Sequence, residues 1–142
     1  MATSKATAHW NGTLKNGKGV MQPASAGEIP FTVASRFEGH AGSNPEEVIG
    51  AALAGCFSMA LTLALEQAGH APKSVRSTAA VHMGREGDAF MITSIDLTAE
   101  VDATGLDAHD LAQIAQETKK RCPVGKALTG VPSILVETKL KS

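Results

Sequence analysis

Apolar residues follow different periods along the chain, and each change of period marks a new element. In the first forty residues they come in short groups. Thr7 to Asn11, Lys15 to Met21 and Pro30 to Phe37 are bounded by Asn11-Gly12, Asn16-Gly17 and Gly27, and read as strands or hairpin arms. Asn44-Pro45-Glu46-Glu47 then predicts a helix start, with Asn44 as N-cap, Pro45 at the first helical position and two carboxylates facing the positive end of the dipole. With Gly69 as the stop, this helix has about 24 residues and is roughly 36 Å long. Further on, Ile95, Leu97, Ala99 and Val101 alternate with Asp96, Thr98 and Glu100, the pattern of a half-buried strand. Its hairpin partner is Val75 to Gly84, joined through Arg85-Glu86-Gly87-Asp88. A helical period returns over Asp107 to Arg121, with Leu111, Ile114, Ala115 and Thr118 on one stripe. Pro123 disfavours helical geometry at Cys122 and ends that helix. Ile134, Val136 and Leu140 alternate with Leu135, Glu137 and Lys139 in a last strand. The order β-β-β-α-β-β-α-β, without internal repeat or linker, predicts one α+β domain over residues 1–142.

The first helix raises the question of a membrane. Val48 to Leu65 carries no charge over a length at the edge of the criterion for a span. Its many small residues (Gly50, Ala51, Ala52, Ala54, Gly55, Ser58, Ala60) and the polar strands on either side favour a core helix instead. A helix apolar on all sides must be buried all round, and so small a domain has little material to do it, so a second subunit is the expected supplier. Composition narrows the function. The chain has 142 residues, 43% apolar and 19% charged, which fits one globular domain. A net charge of -1 supplies no basic surplus for nucleic acid or anionic lipid. The N-terminal residues contain no apolar stretch of secretory length, so a cytoplasmic location is expected. Two cysteines are too few for a disulfide scaffold, which points to a chemical role for the thiols.

Cys56 falls in the middle of the long helix, beyond the turn in which the dipole lowers a thiol pKa, and needs another cation to become a thiolate. A lone cysteine in an Ala-rich helix is most often a small core residue. Cys122 changes that reading. It stands at a helix exit between a basic turn and a proline, where a backbone break lets a side chain swing. One helix-held and one hinge cysteine suit a peroxidatic and resolving pair. Glu46 and Glu47 by themselves read as helix capping, and Arg36 as a solvated strand-end arginine. Histidines 9, 40, 70, 82 and 109 show neither two-His helical spacing nor zinc-type pairing with cysteine, so no metal is expected.

Several segments together carry a resemblance to a known family. They are Arg36-Phe37-Glu38-Gly39, Gly42 through Ala52, Ala54-Gly55-Cys56-Phe57-Ser58-Met59-Ala60-Leu61 and Cys122-Pro123-Val124, with Ala8-His9-Trp10-Asn11-Gly12 and Lys139-Leu140-Lys141-Ser142 at the ends. The sequence resembles, end to end, the OsmC/Ohr family of organic hydroperoxide reductases, in its osmotically inducible protein C branch. The resemblance implies a cysteine-based peroxidase without metal, haem or flavin, built as an intertwined homodimer with the long helices at its centre and two sites at the subunit interface. It also implies Cys56 as peroxidatic and Cys122 as resolving cysteine, Glu46 as the family glutamate and Arg36 as the arginine it orients. An organic hydroperoxide is the implied substrate and an external dithiol, of lipoyl type, the implied reductant.

Helix geometry bears on this constellation. Ten residues place Glu46 and Cys56 about 15 Å apart along one helix and about 80° out of alignment, beyond direct contact. If two helices cross antiparallel near residue 51, Glu46 of one chain comes level with Cys56 of the other, with Gly50, Ala51, Ala54 and Gly55 permitting close approach. A guanidinium held near Cys56 then supplies the missing cation, and a carboxylate fixes its fork. Phe57, Met59 and Phe37 are candidates for an apolar rim favouring organic substrates, although such residues are more often plain core. Two rivals stand beside the peroxidase: a dimeric redox-sensing or small-molecule-binding module, and a Cys-His hydrolase, for which no histidine is nominated by a motif.

Overall fold

The computed structural model describes residues 2–141, which divide into two compact units, Met1–Val48 and Ile49–Ser142. The first unit opens with an antiparallel sheet of three strands in sequence order, β1 (Ala6–Asn11), β2 (Lys18–Pro23) and β3 (Ile29–Phe31). Trp10 and Phe31 meet over Gly19 of the middle strand, with ring centroids 5.5 Å apart. A methyl group on Gly19 would lie 2.7 Å from both rings, so only glycine lets them close over β2.

The third strand is shorter than its apolar pattern predicts, and the segment 30–37 is corrected accordingly. Thr32 ends it. Its hydroxyl accepts from the Ser35 N–H at 2.9 Å while the Ser35 hydroxyl accepts from the Thr32 N–H at 2.8 Å, a reciprocal capping box that starts the short helix α1 (Val33–Phe37). Arg36 therefore projects from a helix and not from a strand end.

Helix α2 (Pro45–Gln67) begins as its sequence predicts: the Asn44 side chain accepts from the Glu47 N–H at 2.8 Å. It ends in a Schellman motif, with His70 N–H bonded to Leu65 O and Gly69 N–H to Glu66 O, made possible by the positive φ of Gly69. Within the second unit, Leu53, Phe57, Leu61 and Leu65 recur every fourth residue and are sealed from solvent. They form one cluster with Ile95, Leu97, Ala99 and Val101 of β5. The other side of α2 is open. Ala51, Ala52 and Gly55 are exposed, Met59 is 78% exposed and Leu63 54%. Within the second unit the helix is thus buried along one stripe only, against the sheet that contains β5. Among the described residues α2 is long and apolar enough to cross a membrane by length and composition. A continuous stripe seated on a sheet is, however, the arrangement of a core helix.

That sheet has the order β4-β5-β6. β4 (Ser74–Glu86) and β5 (Ala89–Asp102) form the expected antiparallel hairpin, and β6 (Ser133–Leu140) lies parallel to β5. Parallel pairing requires a crossover. It is made by α3 (Ala108–Arg121), N-capped by Asp107, and a second short helix, α4 (Pro123–Ala127). The proline after Cys122 stops α3 but also occupies the first position of α4, where its missing N–H costs nothing. Gln116 donates to the Val136 carbonyl at 3.1 Å and Lys119 to that of Ile134, tying the crossover to β6.

Leu97 is 1% exposed on the central strand. Leu97→Ala is expected to cost about 2–5 kcal/mol, transfer and cavity contributions combined. Urea unfolding at fixed protein concentration measures it, and a loss below about 1 kcal/mol would contradict this core assignment.

Candidate active site

The two cysteines, 66 residues apart in sequence, lie side by side. Cys122 Sγ is 3.0 Å from Cys56 Sγ, and both are free thiols. A disulfide bond is about 2.05 Å long, so an approach of roughly one ångström joins them. Cys56 is brought there by its place next to Phe57, one step off the buried stripe of α2. Cys122 is brought by its place at the junction of α3 and α4.

Their surroundings differ. Cys56 is partly exposed, whereas Cys122 is 0% exposed. The backbone at Cys122 breaks as the sequence predicts, with ψ at 118°. The expectation of a swinging side chain is corrected, however: this thiol is buried and accepts a long contact from the Gly125 N–H at 3.5 Å. Burial, and then the neighbouring Cys56, push the Cys122 thiol above its ordinary pKa range, against the smaller opposing pull of the Gly125 and Val124 N–H groups. Cys122 is therefore held as a neutral thiol at neutral pH.

In the first unit, Arg36 and Glu46 form the expected pair. Arg36 Nε donates to both carboxylate oxygens at 3.1 Å and Nη2 donates to Oε1. This is a fork contact, and it fixes the guanidinium plane as well as its position. Glu46 is only 8% exposed, while about a third of the Arg36 side chain faces solvent. Ser35 is the residue that sequence reasoning missed. Besides its part in the capping box, its hydroxyl donates to the Ser43 carbonyl at 2.8 Å, pinning α1 to the segment that enters α2. The signal was present as Thr32-x-x-Ser35, a hydroxyl-only form of the capping-box pattern. Glu47 plays a different part, accepting from the Ser43 hydroxyl at 2.8 Å and leaving Glu46 to Arg36.

The remaining candidates divide. Phe57 is core at 1% exposed, whereas Met59 and Phe37 are exposed. Gly50 is not available to a helix crossing, since a Cβ there would lie 3.2 Å from Val81 of its own sheet; Ala51 and Gly55 face outward. His82 pairs with Asp96 at 2.8 Å and His9 with Asn11 at 2.8 Å. Among the described residues no histidine hydrogen-bonds either sulfur.

The family model described as OsmC-like protein matches residues 38–137, a span that contains Glu46, Cys56 and Cys122 and begins two positions after Arg36. The chain belongs to the OsmC-like family. Across 140 residues it is 44% identical to the Peroxiredoxin OsmC of Escherichia coli (strain K12), covering 97% of this chain and 96% of that protein. The Peroxiredoxin OsmC of Shigella flexneri matches to the same extent. Among solved structures, an organic hydroperoxide resistance protein from Elizabethkingia anophelis superposes with a TM-score of 0.79 at 22% identity, over 99% of this chain and 98% of the other. An organic hydroperoxide resistance protein from Legionella pneumophila gives 0.78 at 20% identity, over 98% of each chain. At such identities these structures establish the fold. The expected α+β architecture of this OsmC-like family is therefore the observed one, with two short helices added.

The raised Cys122 pKa makes a prediction about stability. The folded chain holds this proton more tightly than the unfolded chain does, so the stabilisation is fully present below the unfolded pKa and is lost as pH rises through the folded one. Under reducing conditions the wild type should lose more stability than Cys122→Ser between neutral pH and pH values above the thiol range. Denaturant midpoints at the two pH values measure the difference, and equal losses would contradict the assignment.

Proposed function

We infer that this chain is a thiol-dependent peroxidase that reduces organic hydroperoxides to alcohols in oxidative and osmotic stress defence. The observation that carries the reading is the sulfur pair: two free thiols 3.0 Å apart, one partly exposed and one sealed. A peroxide has access to Cys56 only. The Cys56 thiolate attacks the terminal peroxide oxygen, the O–O bond breaks, and the alkoxide leaves with the electron pair and takes a proton to become the alcohol. Cys56 is then a sulfenic acid. Cys122 attacks the sulfenic sulfur, water leaves, and a disulfide forms between neighbours that are already in place. An external dithiol, of lipoyl type, restores both thiols. No prosthetic group enters this sequence.

Arg36 and Glu46 complete the proposed site. The guanidinium supplies the cation that a mid-helix thiolate lacks, and its remaining donors face the charge that develops on the peroxide oxygens. Glu46 holds the fork in place. The two units are proposed to act as one domain within a homodimer in the cytoplasm. Two features favour the dimer: the open apolar side of α2, with Met59 and Leu63, and a first unit in which no described apolar side chain is fully buried. Antiparallel crossing of two α2 helices through Ala51 and Gly55 would bring Glu46 of one chain level with Cys56 of the other.

Turnover of cumene hydroperoxide and hydrogen peroxide with excess dithiol tests the reading. Turnover is expected to favour the organic peroxide, Cys56→Ser to abolish it, and Cys122→Ser to allow one reduction and then stall at the sulfenic state. Multiple turnover by Cys56→Ser would refute it. Oxidation to the disulfide without turnover would favour a redox sensor instead.

A further inference from the structure

Arg36 projects from a helix too short to hold its own shape. A single turn such as α1 has little stability alone, and Ser35 is its one buried residue. The Phe37 ring lies 5.0 Å from the Arg36 guanidinium carbon, but it belongs to the same turn and moves with it. What refers α1 to the rest of the first unit is the Ser35 side chain. A hydroxyl has one proton to give, and of the two carbonyls in reach that of Ser43 is the nearer, at 2.8 Å against 3.1 Å for Thr32. Ser43 is itself held firmly: its N–H donates to the Pro30 carbonyl at 3.3 Å and its hydroxyl to Glu47 at 2.8 Å. Between the two serines, residues 38–42 are exposed. Gly42 closes this loop on Ser35. Its φ is +124°, and a Cβ there would lie 3.1 Å from the Ser35 Cβ, so a glycine is what lets the backbone pass so close to the serine.

We propose that Ser35 is a positioning residue of the peroxidase: it touches no substrate and acts through Arg36. The fork with Glu46 fixes the far end of the arginine side chain, and Glu46 stands three residues beyond Ser43 at the start of α2. The bond from Ser35 to Ser43 fixes the near end, because the Arg36 Cα is only about 3.8 Å from that of Ser35. With both ends set, the long side chain has one path between them. Without the serine bond, the same fork can be reached from several backbone positions, and each turns the remaining guanidinium donors in a different direction. Misplacement of a reacting group by about 1 Å costs on the order of a hundredfold in rate, so the bond has a kinetic consequence. The proposal rests on the reading of Arg36 as the cation of a peroxidase, and its test keeps the two apart.

The rate of Cys56 oxidation by cumene hydroperoxide is measured in the wild type, Ser35→Ala, Arg36→Ala and the double variant. Ser35→Ala is expected to slow the reaction about tenfold or more when Arg36 is present. In the Arg36→Ala background it should cost less than about twofold, since no guanidinium is left to place. Equal losses in the two backgrounds would mean that the serine serves the fold alone, and would overturn the proposal. Ser35→Thr keeps the hydroxyl, and Ser35→Val has the shape of threonine without it. The threonine variant should retain most of the rate and the valine variant should lose it, a comparison that still decides the matter if Ser35→Ala does not fold. Equal rates for that pair would count against the role. A second readout needs no peroxide: the Arg36 Nε–H resonance, assigned by its absence in Arg36→Lys, should exchange with solvent at least about tenfold faster in Ser35→Ala than in the wild type. Unchanged exchange would also overturn the proposal. A wild type that consumes no hydroperoxide, yet shows this change in exchange, would refute the peroxidase reading and leave the placement of Arg36 by Ser35 standing.

Discussion

The chemistry of this chain depends on how α2 is seated. Leu53, Phe57, Leu61 and Leu65 fasten the helix to the inner face of β5, and burial at four such positions is worth several kcal/mol in aggregate. That contact fixes the rotation of the helix about its axis. It sets Cys56 at the edge of the buried stripe, partly exposed and in reach of Cys122. A turn of one residue in either direction would carry the sulfur about 100° around the helix, away from its partner. The sulfur pair is thus positioned by packing and not by a flexible loop.

The electrostatics are divided between two places. Around the sulfurs, burial keeps Cys122 protonated, so a proposed resolving group rests as a thiol. In the first unit, the only strongly buried carboxylate that the described residues offer is Glu46, and it is neutralised by the Arg36 fork. A buried ion pair of this kind is weak evidence for stability, since desolvation offsets most of the attraction. Its worth lies in orientation. The capping box of Thr32 and Ser35, with the Ser35 bond to Ser43, holds both ends of the pair, which is an arrangement suited to presenting a guanidinium in one plane.

Much of the fold was legible because its periods are clean. The Asn44 cap, the alternation of Ile95 to Val101 and the stripe of Leu111, Ile114, Ala115 and Thr118 each announce an element that the structure contains. The short helices were harder, because each hides behind a signal with two meanings. Thr32-x-x-Ser35 caps a helix inside a segment whose composition suits a strand, and Pro123 both stops one helix and begins another. The parallel pairing of β6 with β5 has no local signature at all. At the site, the Arg36–Glu46 pair and the nearness of Cys56 to Cys122 followed from the family resemblance. Spacing alone could not supply them, since a separation of 66 residues says nothing about contact. The small residues of α2 show the reverse error: Gly50 looks like a place for another helix and is in fact taken by Val81.

The central claim is that Cys56 and Cys122 pass through a disulfide when a peroxide is reduced. One equivalent of cumene hydroperoxide added to the fully reduced protein, without any external thiol, tests it directly. The account predicts one equivalent of alcohol, a mass lower by two hydrogens, and a single new linkage joining the Cys56 and Cys122 peptides. Alcohol formed without that linkage, or peroxide left unconsumed by the reduced protein, would contradict it.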